Sequence, residues 1–125
     1  MNTTAGSWAL IGAKVSRDAT VIQKLRAGGA IILGKAHMSQ WASFRSNNST
    51  NGWSAIGGQA YGPYFLHEDP QGSSSGSGIS AALGLALGCL GTETDGSIVD
   101  PARLNNLVGI KPSTLIHWSL NVFYN

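Results

Sequence analysis

The sequence has few charged residues and almost no cysteine. Charged residues occupy 11% of its 125 positions and apolar residues occupy 42%, whereas a typical soluble domain is about 25% charged. This composition excludes an intrinsically disordered chain, which combines low hydrophobicity with high net charge. The formal charge is only +2 and the basic residues are scattered, so neither a nucleic-acid nor a membrane partner is predicted.

The single cysteine, Cys89, excludes an internal disulfide framework and any metal site built from several cysteines. It permits a reducing location such as the cytoplasm. The histidines, His37, His67 and His117, lie too far apart to suggest metal-ligand spacing, so we expect no metal and no cofactor. The most apolar run, residues 79–90, is well short of the roughly 20 residues of a spanning helix, so we expect a soluble protein.

Local patterns near the start predict a helix followed by a strand. Asp18 is placed to cap a helix that ends at Gly28 and Gly29. Its apolar positions share one helix face: Val21, Ile22 and Leu25. The continuous apolar run at 30–33 predicts a strand buried on both faces. Helix-then-strand order favours an α/β fold in layers.

Residues 43–78 show no regular period, which in a compact domain indicates a functional or mobile loop. Apolar residues at helical spacing from Ile79 to Leu87 then predict an amphipathic helix that ends at Gly88. Short extended segments are expected at 89–90 and 108–110. In the last residues, alternation places four apolar side chains on one strand face, yet no later segment follows to pair with them: Ile116, Trp118, Leu120 and Val122.

Two turns rich in glycine and serine, residues 70–78 and 91–98, bracket the second predicted helix. A helix of about ten residues and a returning strand bring such turns to one edge of a sheet, so Ser73 and Ser97 are expected to be neighbours. A serine becomes a nucleophile when a base removes its proton. The small residues around Ser97 leave backbone N–H groups free to face an oxyanion. Alternatively, both turns are plain connectors.

The same glycines permit a nucleotide-binding interpretation. Gly91 and Gly96 have the opening spacing of a phosphate-binding loop, but the lysine that this loop requires is absent. Gly76, Gly78 and Ala81 fit the loose dinucleotide fingerprint, although no buried strand precedes them. A small α/β nucleotide-binding module is therefore kept as an alternative hypothesis.

The two turns resemble the signature of the amidase signature family, in which Gly-Gly-Ser-Ser-Gly-Gly and a small-residue helix precede Gly-Thr-Asp-x-Gly-Gly-Ser-Ile. The 24-residue interval between Ser73 and Ser97 agrees with the interval between that family's catalytic serines. Three further segments resemble family segments in the same order: residues 2–7, 34–39 and 109–112. The resemblance implies a fragment of the family's mixed-sheet α/β/α fold, with a partial amidase domain at 1–113 and a divergent tail at 114–125.

The resemblance also implies the roles of individual residues. Ser97 corresponds to the nucleophile that accepts the acyl group, and Ser73 to the bridging serine, which follows a cis peptide and passes a proton between nucleophile and lysine. The implied oxyanion hole consists of the backbone N–H groups of Thr94, Asp95, Gly96 and Ser97. The implied activity is hydrolysis of the C–N bond of a small-molecule amide through an acyl-serine, without a cofactor.

The sequence departs from the family pattern at several positions. Asp95 stands where glycine is usual, Glu93 replaces the common aspartate, and Val99 stands where many members have arginine. Ser75 and Ser77 also occupy usual glycine positions. This form resembles a fungal or bacterial amidase branch, which keeps the serines and alters the surroundings of the substrate.

The family's general base is a lysine in a Val/Leu-Lys-Asp motif upstream of every segment matched here. None of the four lysines stands in that context: Lys14, Lys24, Lys35 and Lys111. Lys35 is the candidate for a substitute base, although it lies in a segment where the family lysine is structural. We therefore interpret the chain as an internal fragment that is weakly active or inactive alone, because loss of a positioned base costs ~10²–10⁴-fold. A non-catalytic remnant is the alternative.

Overall fold

The computed structural model of the chain describes residues 1–113 and 121–124, the latter as backbone. Its helices are α1 (Thr20–Ala27), α2 (Ser75–Ala82) and α3 (Val99–Leu104). Its strands are β1 (Trp53–Ser54), β2 (Gly58–Gln59), β3 (Gly88–Gly91), β4 (Val108–Ile110) and β5 (Asn121–Tyr124). Short 3-10 stretches occur at Trp8–Leu10 and Gln40–Ser43. Across these residues, no helix has the length and hydrophobicity needed to cross a membrane.

Helix α1 confirms the predicted helix before the glycine pair, but not its cap. The helix begins after Ala19, so Asp18 lies one position too early to cap it, and no side-chain capping bond forms. The Asp18 carboxylate instead pairs with Arg26 at 3.1 Å, with both side chains about half exposed. Gly29, at φ +86°, takes the left-handed conformation that ends the helix.

The strand predicted at 30–33 is wrong. These residues form no strand, and the side chains of Ile31 and Leu33 are 83% and 69% exposed. A strand requires a neighbour to pair its backbone, and none of the described residues pairs with this segment. The apolar run therefore lies on the surface.

Helix α2 begins and ends earlier than predicted. It starts at Ser75, inside the first glycine-serine turn, and Gly84 at φ +66° reverses the chain soon after Ala82. Its buried residues are small: Ser75, Gly76, Ser77, Gly78 and Ala81. Most of the leucines that suggested the apolar face are exposed, because the helix ends before it can bury them: Leu83 at 55% and Leu87 at 93%.

Strands β3 and β4 confirm the extended segments expected at 89–90 and 108–110. Strand β5 lies between them, antiparallel to both, so that Phe123 is opposite Cys89 on one side and Gly109 on the other. The expectation that nothing would pair with the C-terminal alternation is therefore wrong for residues 121–124, whose partners precede them in the chain. Its other members lie outside the described residues: Ile116, Trp118 and Leu120.

The core lies where α2 and α3 pack on this sheet. Its fully buried apolar side chains are Ala81, Ile98 and Ala102, with Cys89 and Leu107 packed against them. Helix α3 was not predicted, although Asp100 in its first turn and Arg103 in its last complement the helix dipole. The irregular segment before α2 contains only the two-residue antiparallel pair of β1 and β2. Both glycine-serine turns thus border one small core.

Candidate active site

The two glycine-serine turns meet, as their spacing predicted. The backbone N–H of Ser74 donates to the carbonyl of Ser97 at 3.1 Å. The Ser74 hydroxyl accepts the N–H of Thr92 at 3.2 Å and lies 3.3 Å from the Thr92 carbonyl. Ser73 and Ser97 therefore lie on two backbone segments that are joined directly by hydrogen bonds.

Ser73 is buried, at 4% exposure, and its hydroxyl has no hydrogen-bond partner among the described residues. The Gly72–Ser73 peptide bond is cis. The Ser73 carbonyl accepts the N–H of Ser39 at 3.0 Å, so the backbone is held while the hydroxyl is not. An unsatisfied buried hydroxyl costs about 1–3 kcal/mol, and such a group calls for a functional explanation.

The segment 37–39 supports the first turn from behind. The His37 carbonyl accepts the N–H of Gly76 at 2.9 Å, and the His37 ring lies 2.7 Å from the Gly52 carbonyl through Nε2. The Ser39 hydroxyl accepts the N–H of Gly52 at 2.9 Å. Segment 37–39 therefore connects the start of α2 to the loop at Gly52.

A polar cluster fixes the residues that precede Ser73. Gln71 has φ +58°, and its N–H donates to Asp69 Oδ1 at 2.8 Å. Asn51 Nδ2 donates to Asp69 Oδ2 at 3.2 Å and to Gln71 Oε1 at 3.4 Å. The Ser75 hydroxyl donates to the Gln71 carbonyl. These bonds hold Gln71 in a left-handed conformation that a non-glycine residue rarely adopts.

The second turn carries Ser97, which is partly exposed, and is organised by Glu93. The Glu93 carboxylate accepts three backbone N–H groups: Gly96 at 3.1 Å, Ile98 at 2.8 Å and Val99 at 3.0 Å. Gly96 has φ +73°, which favours glycine. Hydrogen bonds to an ionised carboxylate are stronger than neutral ones, so the residues on either side of Ser97 are firmly held.

The four backbone N–H groups expected to form an oxyanion hole differ in availability. Within the described part of the chain, those of Thr94, Asp95 and Ser97 have no hydrogen-bond partner, whereas that of Gly96 is bonded to Glu93. Thr94 and Asp95 are exposed. Three donors are therefore open to a ligand in this conformation.

The structure does not bring Lys35 to the serines. Its amine donates to Thr3 Oγ1 at 2.7 Å on the surface, whereas Ser73 Oγ is buried and without a partner. Lys111 is also exposed. In the described ranges, no group of histidine, cysteine or acidic residues is arranged to hold a metal ion.

The remaining singled-out side chains lie away from this arrangement. Partial burial raises the pKa of the Cys89 thiol on β3. The His67 ring packs edge-on against Tyr61, with centroids 4.9 Å apart. His117 lies outside the described residues.

The glycines of the dinucleotide-type pattern face protein. A Cβ placed on Gly76 would lie 2.5 Å from His37 N, and one on Gly78 would lie 3.0 Å from Asn105 Nδ2. Both glycines are buried, and a cis-peptide turn rather than a strand leads directly into α2. A phosphate group has no room to approach this end of α2.

Sequence reasoning missed the residues that hold the serines. Ser39 and Asn51 come from segments far from both turns, and no spacing pattern connects them to Ser73. Glu93 was noticed only as a departure from the family pattern. The acidic residue directly before a small-residue turn was the one available signal, since such side chains often bind backbone N–H groups nearby.

Comparison with known proteins identifies the family. A model of the family described as Amidase matches residues 1–117. A probable amidase of Arabidopsis thaliana is 58% identical over 113 residues, which are 90% of this chain and 22% of that protein. One of the subunits of the Glutamyl-tRNA(Gln) amidotransferase of Symbiobacterium thermophilum is 43% identical over the same share of this chain and 22% of its own length.

Solved structures agree in fold. The peptide amidase from Stenotrophomonas maltophilia superposes with a TM-score of 0.88 at 52% identity, covering 91% of this chain and 23% of that one. An amidase family protein from Bacillus anthracis gives a TM-score of 0.87 at 43% identity, covering 90% and 23%. The chain thus spans about a fifth of the length of the relatives it matches, and the predicted α/β amidase-signature fold is confirmed. The chain belongs to the amidase family.

Proposed function

We propose that this chain carries the acylation site of an amidase, with Ser97 as the nucleophile and Ser73 as the residue that relays its proton. The observation that carries the proposal is the buried Ser73 hydroxyl, which has no partner among the described residues and lies beside the turn of Ser97. A buried hydroxyl without an internal partner is free to exchange a proton with a neighbouring nucleophile or base.

In this mechanism Ser97 Oγ attacks the carbonyl carbon of a small-molecule amide and forms a C–O bond. Its proton passes to Ser73 Oγ, which releases its own proton to a base. The open N–H groups of Thr94, Asp95 and Ser97 stabilise the oxyanion, usually the largest single contribution in acyl transfer. The C–N bond then breaks, the amine leaves with a proton, and water hydrolyses the acyl-serine.

The base is the part of this mechanism that the described residues do not supply. No lysine amine among them contacts Ser73 Oγ. We propose that a lysine from another part of an amidase domain removes the proton in the complete site. This chain alone should then acylate slowly, because a positioned base typically contributes ~10²–10⁴-fold.

Labelling with a fluorophosphonate probe tests the nucleophile. We expect slow, stoichiometric labelling of the folded chain at Ser97, located by mass spectrometry of peptides. Ser97→Ala should abolish the label, and Ser73→Ala should slow it, because the proton then has no relay. Ser113→Ala, which changes an exposed serine outside the site, serves as the matched control.

Two outcomes would contradict the proposal. Labelling that persists in Ser97→Ala, or that spreads over many serines, would show that Ser97 has no special reactivity. A folded wild-type chain that takes up no label would instead support a non-catalytic remnant. Far-UV circular dichroism on the same samples establishes folding in both cases.

A further inference from the structure

The Glu93 carboxylate holds the backbone on both sides of Ser97. Its Oε1 accepts the N–H of Gly96, directly before the serine, at 3.1 Å. Its Oε2 accepts those of Ile98 and Val99, directly after it, at 2.8 and 3.0 Å. One side chain therefore spans the residue that we propose as nucleophile without contacting its hydroxyl.

Gly96 is also fixed from its other side. Its carbonyl accepts the N–H of Asp100 at 2.8 Å, and a Cβ placed on Gly96 would collide with Asp100 Oδ2. With its N–H bonded to Glu93 and its carbonyl bonded to Asp100, this peptide has little freedom to rotate. The orientation of the peptide between Gly96 and Ser97 is consequently set by these contacts.

We propose that Glu93 is a positioning residue that sets the conformation of the Ser97 turn and selects its oxyanion donors. By occupying the N–H of Gly96, it removes that group from the oxyanion hole and leaves those of Thr94, Asp95 and Ser97. The catalytic consequence depends on the proposed function. The clamp itself is a property of the turn and can be tested without any activity.

Amide hydrogen exchange, measured by NMR on the whole chain, tests the clamp directly. In the wild type, the N–H groups of Gly96, Ile98 and Val99 should be protected, and those of Thr94 and Asp95 should exchange rapidly. Glu93→Gln keeps the size of the side chain but replaces one accepting oxygen with an NH₂ group, which cannot accept. We expect exchange at least tenfold faster at one or more of the three bonded amides.

A matched control is available at another turn. Glu68 also accepts a backbone N–H, that of Tyr64 at 3.1 Å. Glu68→Gln should speed exchange at Tyr64 and leave Gly96, Ile98 and Val99 unchanged. This comparison separates loss of the clamp from a general loosening of the fold.

Inactivation kinetics with the fluorophosphonate provide the second readout. Glu93→Gln should lower the maximal inactivation rate about tenfold with an unchanged half-saturating probe concentration, because the turn is misplaced while probe binding is retained. Glu93→Asp keeps the charge and both oxygens on a shorter side chain, so its rate should lie between those of the wild type and Glu93→Gln. A purely structural role would not produce this separation of rate from binding.

The possible failures are distinguishable. Equal exchange rates at the three amides in wild type and folded Glu93→Gln would overturn the clamp, whatever the labelling shows. If the wild type does not label but the exchange difference is present, the proposed function fails and the clamp stands. Should Glu93→Gln not fold, Glu93→Asp decides: exchange identical to wild type together with an undiminished rate would overturn the proposal.

Discussion

At the scale of single residues, the site depends on close backbone approaches that only small residues allow. Gly76 packs on the backbone of His37, where a Cβ would lie 2.5 Å from the nitrogen and 2.6 Å from the carbonyl oxygen. Neither backbone atom can move away without disturbing the bond between the Gly76 N–H and the His37 carbonyl. The glycine therefore sets the distance between the Ser73 turn and segment 37–39.

We expect Gly76→Ala to destabilise the chain by about 1–3 kcal/mol, the usual range for overpacking. Gly34→Ala is the control, because a Cβ there meets nothing within 4 Å. Urea unfolding followed by circular dichroism measures both variants. If the two variants unfold at the same urea concentration, the backbone approach at Gly76 is not a tight constraint.

Much of the residue-scale arrangement was predictable because its signals are local. The serines of the two turns stand at recognisable spacing, and Gly29 ends α1 through its own backbone preference. The unpartnered state of Ser73 Oγ was not predictable, since it depends on what distant segments place beside it. The same is true of Ser39 and Asn51, which reach the first turn from other parts of the chain.

At the scale of elements, strand β5 completes the small sheet by lying between β3 and β4. Val122 is opposite Leu90 on one side and Ile110 on the other. A central strand has its backbone groups committed to neighbours on both sides, and proline cannot donate to such a ladder. The pairing of β5 is therefore sensitive to loss of a single N–H.

We expect Val122→Pro to destabilise the sheet by about 1–3 kcal/mol, because it leaves a ladder carbonyl without its donor. Val122→Ala keeps the N–H and is the control for the change in side chain. Hydrogen exchange of the Leu90 and Ile110 amides, together with thermal unfolding, measures the effect. Indistinguishable melting of the two variants would contradict the central position of β5.

At the scale of the whole molecule, the chain exposes more surface than its size requires. Its accessible area is 8295 Å², whereas a compact monomer of 13.0 kDa is expected to expose about 6,300 Å². Large apolar side chains contribute to the excess, among them Ile31 at 83% and Leu33 at 69% exposure. This exposed segment is the one in which a buried strand was predicted.

We expect the double substitution Ile31→Ser and Leu33→Ser to reduce binding of an apolar dye while changing the free energy of unfolding by less than about 0.5 kcal/mol. The buried control, Ile98→Ala, should cost about 2–5 kcal/mol. Dye fluorescence and urea unfolding measure the two quantities. A large loss of stability in the serine variant would show that residues 31 and 33 pack against the fold after all.

The sequence by itself determined the fold class, the family resemblance and the two turns that carry the serines, because glycine conformation and residue spacing act over a few positions. Tertiary structure alone decided which apolar runs were buried, where α2 ended, and that β5 lies between β3 and β4. It also decided that the N–H of Gly96 is taken by Glu93. Burial and hydrogen bonding depend on which distant segments come into contact, and hydrophobicity or periodicity along the chain does not specify those contacts.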